Sequence, residues 1–298
     1  MAGVAALARP IKSALAGAAQ PLTPVNFAVP AGACDCHVHI YGDPQRYPFV
    51  ASRGYTPATV TLAELRSVHK ALHIDRVVIV QTTVYGTDHS CMTDAIKELG
   101  AGARGVAIID EKTSDSELDR LHRAGIRGVV IHKIGDFKFN VERIMGRGWH
   151  IGLYAKLSEL EAIKDQVIAS PVPVLLYVFG GAQAAAGVHQ PGFDTLLNLV
   201  RTGKVYVSLS VPYRISNQAP DFPDVAPIAR ALIAANPQRI VWASDWPHLS
   251  GVARKLPEVT PMDSIDDGSN LNQLAAWASD PAHLKLILVE NPARLYGF

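Results

Sequence analysis

Cys34-Asp35-Cys36-His37-Val38-His39-Ile40 is the stretch on which the reading of this chain turns. Side chains alternate across a strand, so His37 and His39 point to one side, roughly 7 Å apart along the backbone. A strand end that presents two imidazoles to one face is a site in the making. Some two hundred residues later Trp242-Ala243-Ser244-Asp245-Trp246-Pro247-His248 ends another apolar run on an aspartate.

Outward from these phrases, apolar β-branched runs recur eight times: 34–40, 76–81, 104–109, 127–132, 149–154, 172–178, 205–210 and 239–245. They lack polar alternation, as strands covered on both faces do. Between them lie helical patterns with start signals. Thr61 to Glu64, Ser114 to Glu117 and Ser158 to Glu161 have the spacing of capping boxes. Gly125, Gly148 and Gly203 each follow a helical stretch and precede the next strand. Eight strands alternating with helices predict an α/β fold, a (β/α)8 TIM barrel. An open doubly wound sheet binding a dinucleotide would need a glycine fingerprint after its first strand, where His37-Val38-His39 stands instead. No repeat or linker divides the chain, so residues 31–298 are expected to be one barrel domain, preceded by an N-terminal arm over 1–30.

Composition narrows the function. With 298 residues, 48% hydrophobic and 18% charged, the chain can bury a large core, and a net charge of +1 offers no field for nucleic acid or an anionic membrane. Cys34, Cys36 and Cys91 are too few for a disulfide framework, and reduced thiols suit a cytoplasmic protein. The apolar run Val4 to Ala8 is shorter than a signal-peptide core, and no stretch approaches a membrane span. The expected partner is a small-molecule substrate; the sequence carries no statement of oligomeric state.

In TIM barrels the chemistry sits at the C-terminal ends of the strands. Those ends collect His37 and His39, Gln81, Asp110, His132 and Lys133, Tyr154 and Lys156, Ser208 and Ser210, and Asp245. Convergence from all around the barrel points to one site.

His37-Val38-His39 on the first strand with Asp245 closing the eighth resembles the amidohydrolase superfamily. Three longer phrases narrow the resemblance: Val80-Gln81-Thr82-Thr83-Val84-Tyr85-Gly86-Thr87-Asp88, Ser244-Asp245-Trp246-Pro247-His248, and Glu290-Asn291-Pro292-Ala293-Arg294-Leu295-Tyr296. They look like the branch of 2-pyrone-4,6-dicarboxylate lactonase and D-galactarolactone isomerase, the second being taken as the closer, over about residues 9–298. The resemblance implies a metal-independent enzyme for lactones of dicarboxylic sugar acids. It assigns Asp245 as base, His37, His39 and Tyr154 as polarisers of the lactone carbonyl, and Arg214 as a carboxylate holder.

The departures are equally specific. Where the family carries an arginine and an asparagine on strand four, this chain has Val130 and His132; for Asp-His after strand six it has Tyr177-Val178; for a lysine on strand seven it has Ser208. The strand-four loop, 133–139, is short for the family. Gln81, Lys156, Val178, Ser208, Ser210 and Arg214 are the expected substrate-binding set, with strand parity directing Val178 rather than Tyr177 inward.

A carboxylate can deprotonate a hydroxyl attacking an ester carbonyl if donors stabilise the oxyanion. With what the resemblance implies, a lactone isomerase or lactonase acting on galactaro- or glucaro-lactones, without a cofactor, is the first expectation. A zinc on His37, His39 and Asp245 is the alternative set, three ligands with an open position. A repurposed or engineered barrel is the alternative function, taking a less charged substrate. It would use Asp245 or His132 for proton abstraction, or Lys133 or Lys156 in a dry pocket as a Schiff-base amine. A barrel that only binds is the third.

Overall fold

All eight apolar runs form strands in the computed structural model, which describes residues 13, 14, 20–250 and 256–298. The strands are β1 Cys34–Val38, β2 Arg76–Val80, β3 Ala103–Ala107, β4 Ile126–Ile131, β5 His150–Leu153, β6 Val174–Leu176, β7 Val205–Ser210 and β8 Ile240–Ala243. Each pairs in parallel with its sequence neighbour from β1 round to β8. The seam closes just beyond β8, where Val38 bridges Trp246, His39 N donates to Trp246 O (2.9 Å) and Asp245 N donates to His37 O (2.9 Å). The barrel is therefore stitched shut by the backbone of the two phrases that decide its reading.

Helices α1 Leu62–Leu72, α2 Ser90–Leu99, α3 Asp115–Arg123, α4 Phe137–Ile144, α5 Leu157–Ala169, α6 Phe193–Arg201 and α7 Ala226–Ala235 fill the crossovers, and α8 Asp267–Trp277 follows β8. Thr61 makes the complete capping box with Glu64, each side chain meeting the other's backbone N–H. Ser114 caps Glu117 N at 3.1 Å, but the Glu117 carboxylate turns to Arg120 instead of reaching back. The third expected box is displaced. Helix α5 begins at Leu157, and the Glu159 carboxylate accepts from Lys156 N at 2.7 Å, so Ser158 lies inside the first turn.

Two apolar layers hold the fold. One lies between strands and helices; the other fills the barrel with Cys34, Cys36, Val78, Val80, Val106, Val130, Leu175, Tyr177, Tyr206, Val241 and Ala243. Tyr296 plugs the lower end, its hydroxyl 3.5 Å from Cys36 O, and buried Asn291 donates to Pro237 O and Ile240 O beneath β8. The closing Asn-Pro-Ala-Arg-Leu-Tyr phrase is thus a fastening for the barrel floor.

The strand-one histidines reach the interior through a bulge. Cys34 and Cys36 already face inward, so strict alternation would turn Val38 in and both histidines out. Between the pairs Asp35↔Val77 and Val38↔Ile79, β1 advances one residue more than β2. That extra residue flips the parity, sends Val38 to the outer layer and re-aims His37 and His39 into the barrel mouth.

Of the expected N-terminal arm, Ser13–Ala14 pairs antiparallel with Met262–Asp263, and residues 20–30 run without helix or strand. Asp266 accepts from Leu22 N and Thr23 N, and Asn272 from Asn26 N. The rest of the expected arm before residue 20 lies outside the described residues.

Candidate active site

His37 Nε2, His39 Nε2 and Asp245 Oδ1 form a triangle with edges of 3.3 Å between the histidines and 3.5 Å from each to the carboxylate. The His37 side chain is 3% exposed, whereas His39 and Asp245 keep 16% and 14%, so solvent reaches the triangle on the side of His39 and Asp245. Asp245 sits at φ +67, a left-handed backbone that aspartate tolerates better than most residues and that marks functional sites.

Electrostatics sort the protons. Burial drives the His37 pKa down to about 3, helped by His39 and opposed by Asp245. Burial also pushes the Asp245 carboxyl upward, but the His39 hydrogen bond, His37 and Arg214 overcome it and hold the group well below the usual carboxylate range. At neutral pH a neutral His37 therefore faces an ionised Asp245. His39 Nδ1 lies 3.0 Å from Val80 O, which accepts its N–H and, in the neutral ring, leaves the Nε2 lone pair facing the triangle.

Tyr154 meets the expectation of a residue beside the histidines: its hydroxyl is 3.4 Å from His37 Nε2. Burial and the nearby Asp245 raise its pKa well above the ordinary phenol value, so it stays a donor. With Tyr41, Tyr55, Val178, Val211, Arg214 and Leu249 it lines a cavity of about 320 Å³ over His39 and Asp245. Arg214 donates to Leu249 O at 3.2 Å and is the sole arginine lining this cavity among the described residues.

Other expected site residues stand elsewhere. Against expectation Lys133 and Lys156 are exposed, Lys156 at the N-cap of α5, and neither has the dry surroundings that amine catalysis requires. His132 stacks flat on the Tyr154 ring (centroids 5.3 Å apart, 10° between planes) outside the cavity lining, with its pKa lowered by burial and by His39. Gln81 is buried and spends its amide on Gly86 O and Asp88 O, bracing the loop after β2. Asp110 caps its own turn through Thr113 and Lys112. Ser208 and Ser210 are buried on β7 and absent from the cavity lining; the Ser208 hydroxyl has no partner among the described residues.

Tyr177 faces inward, against the expected parity. Leu175 faces the barrel interior, so alternation carries Tyr177 inward with it, and Tyr177 N still donates to Leu153 O (3.1 Å); the chain leaves alternation only at Val178 and Phe179, at φ +53 and +52. Tyr177 packs inside the barrel, its ring 4.7 Å from His37 and 4.8 Å from Tyr154, while Val178 lines the cavity. Gly152 opposite is required, since a Cβ there would strike the Tyr177 hydroxyl.

Besides the cavity residues Tyr41, Tyr55, Val211 and Leu249, four residues around Asp245 escaped the sequence reading. Asp35, fully buried behind the triangle, accepts from His37 N (3.3 Å), Ser244 N (3.0 Å) and Ser244 Oγ, with His69 Nε2 at 3.4 Å. It brackets β1 to the residue before Asp245. Tyr213 places its hydroxyl 3.4 Å from Asp245 Oδ2 and 3.4 Å from His248 Nδ1, and buried His248 meets buried Asp267 at 2.9 Å. Asp35 and His248 stood in the quoted phrases and Tyr213 beside Arg214, whereas nothing in the sequence marked Asp267.

The triangle also fits a metal. A tetrahedral ion bound at ~2.1 Å has ligand-to-ligand edges of about 3.4 Å. The edges of 3.3, 3.5 and 3.5 Å match that, and the His39–Val80 bond is the outer contact that orients a ligating imidazole. A proton on His37 Nε2 satisfies the same three atoms.

Comparison with known proteins places this geometry. The amidohydrolase family profile matches residues 34–298. A 2-pyrone-4,6-dicarboxylate hydrolase of Comamonas testosteroni is 34% identical, covering 93% of this chain and 94% of that protein. The D-galactarolactone isomerase of Agrobacterium fabrum is 28% identical, covering 92% and 94%, so the sequence resemblance taken as the closer of the two is the weaker. The crystal structure of an Agrobacterium tumefaciens protein, in its apo form, superposes with a TM-score of 0.81 at 26% identity, covering 93% of this chain and 98% of that one.

Proposed function

The chain belongs to the amidohydrolase family, beside enzymes that hydrolyse or isomerise lactones, and from that premise we propose that it opens or rearranges sugar-acid lactones with Asp245 as general base. The observation that carries the reading is an ionised carboxylate held within 3.5 Å of two imidazoles at the floor of a cavity edged by phenols and one arginine.

In this account a hydroxyl attacks the lactone carbonyl carbon while Asp245 takes its proton. Charge gathers on the carbonyl oxygen, where the Tyr154 hydroxyl and the His37 Nε2–H donate. The ring C–O bond breaks, and Asp245 returns the proton to the departing alkoxide. Water as attacker gives hydrolysis. A hydroxyl of the substrate gives isomerisation, with orientation replacing a bimolecular encounter. Arg214 holds the substrate carboxylate, and the hydroxyls of Tyr41 and Tyr55, 3.5 Å apart, face the polyol. The test is turnover of galactaro- and glucaro-lactones by wild type and Asp245→Asn: loss in the variant supports the base, and equal rates refute it.

The triangle's edges favour a second reading, in which His37, His39 and Asp245 hold zinc, which would polarise the carbonyl or acidify a bound water. Elemental analysis separates the two. The metal-free reading expects well under one equivalent of metal in purified protein, with turnover and melting temperature unchanged by a chelator. One equivalent of zinc, lost together with activity and several degrees of melting temperature, selects the second.

A further inference from the structure

The mechanism above leaves a buried charged pair unused. Asp267, the first residue of α8, and His248, three residues past Asp245, are 1% and 0% exposed, and their side chains meet at 2.9 Å (His248 Nε2 to Asp267 Oδ2). Burial of such a pair without a task is expensive. The other nitrogen of His248 faces the Tyr213 hydroxyl, which in turn faces Asp245 Oδ2. We propose that Tyr213 is a positioning residue for Asp245: Asp267 and His248 fix the direction of its O–H so that it holds Oδ2 and leaves Oδ1 in the histidine triangle. The proposal rests on the reading of Asp245 as the reacting carboxylate.

Proton placement gives the chain of contacts its direction. If the shared proton sits on His248, the ring is an imidazolium and carries N–H at both nitrogens. If it sits on Asp267, Nε2 is the acceptor and the ring's own proton must be on Nδ1. Both arrangements put an N–H against the Tyr213 oxygen. The phenol then accepts from His248, and its own hydrogen is left to donate to Asp245. The 2.9 Å separation of His248 Nε2 from Asp267 Oδ2 is a formed hydrogen bond that orients the ring, and Asp267 outweighs burial in raising the His248 pKa, which favours the protonated pair.

The scaffold around this chain is firm. His248 is held at φ +61 by its N–H to Asp245 O (3.1 Å), and its carbonyl accepts from Asp263 N (2.8 Å). Tyr213 stands on the short helix Pro212–Ile215 after β7, between Pro212 and the Arg214 that lines the cavity. The two Tyr213 contacts of 3.4 Å are longer than formed hydrogen bonds, as contacts in ligand-free sites often are before substrate tightens them.

The experiment uses full-length protein with galactarolactone as probe, beside crystal structures of each variant. Tyr213→Phe is expected to lower kcat about tenfold or more with KM within about twofold, the loss of one hydrogen bond to a charged group in the transition state. His248→Asn retains a donor near the Nδ1 position and suits a left-handed backbone, so it should keep kcat within about threefold of wild type. His248→Gln keeps the reach to Asp267 but not the donor to Tyr213, and should fall with Tyr213→Phe. In the crystal structures the Asp245 carboxylate should leave the triangle in Tyr213→Phe and His248→Gln and remain there in His248→Asn. An unmoved carboxylate with unchanged kcat in Tyr213→Phe overturns the proposal, as does equal loss in the two His248 variants. Asp245→Asn assayed alongside separates the outcomes. Full activity in that variant sinks the base reading, whereas its inactivity beside a fully active Tyr213→Phe sinks only the positioning role.

Discussion

Removing the Asp35 carboxylate should unlatch the barrel at its seam. Asp35→Ala leaves Ser244 N, the Ser244 hydroxyl and His37 N without their acceptor, in a place where Asp35, Ser244 and His37 are 0%, 1% and 2% exposed and water has no access. Each stranded buried donor costs about 1–3 kcal/mol, and relief of the carboxylate's own desolvation returns part of it, so the net loss should be about 3–5 kcal/mol. That is a large share of the ~5–15 kcal/mol that holds a typical domain, and corresponds to roughly 10 °C in melting temperature. Asp35→Asn keeps one acceptor oxygen and should lose about half as much. Urea titration with thermal scans reads both values. An Asp35→Ala protein within about 1 kcal/mol of wild type would refute the bracket, and an Asn variant as unstable as the Ala variant would refute its dependence on the acceptors.

Arg214→Gln should raise KM for a carboxylate-bearing lactone about thirtyfold or more and leave a neutral lactone's KM nearly unchanged, since a charge-assisted contact is worth ~2–3 kcal/mol; equal effects on both substrates would count against the assignment. Stability should fall as pH drops from 6.5, because buried His37 and His150 have pKa values lowered to about 3 and about 4 while the unfolded chain binds protons near ~6.5. Each contributes a loss of up to ~1.4 kcal/mol per pH unit down to its folded pKa, and urea unfolding at pH 7 and pH 4.5 should show it. Asp245, with its pKa depressed, adds stability above the unfolded carboxylate value that disappears only as pH falls through its folded value. The acidic limb of the rate profile should accordingly lie below the ordinary carboxylate range; a limb near pH 5 would mean another group is the base.

The strands were legible because both-face burial leaves an unbroken apolar run, and eight such runs with helices between admit few architectures. The pairing of His37 with His39 and their convergence on Asp245 followed from alternation and from the barrel's habit of gathering strand ends. The bulge that turns the histidines inward was hidden, because register is set by the partner strand β2 and not by residues 34–38. Tyr177 was misassigned because the phase of β6 was taken one residue off: Leu175 faces inward and carries Tyr177 with it, and Val178 reaches the cavity only because its backbone turns to φ +53. Lys133 and Lys156 looked like site residues because a strand end meets both the cavity and open water, and sequence cannot say which way a rim side chain goes. Tyr41, Tyr55, Tyr213 and Leu249 come from segments beyond the strands, whose placement depends on tertiary packing. Asp35 reads as an ordinary residue between two cysteines until β8 is laid beside it.

The account stands most directly on one carboxylate. Purified wild type and Asp245→Asn, matched for melting temperature, should be assayed for disappearance of galactaro- and glucaro-lactones. Turnover by wild type is expected, with a fall of about a hundredfold to ten-thousandfold in the variant, the range lost with a general base. Equal rates in the two proteins, or no turnover of any such lactone by wild type, would contradict it.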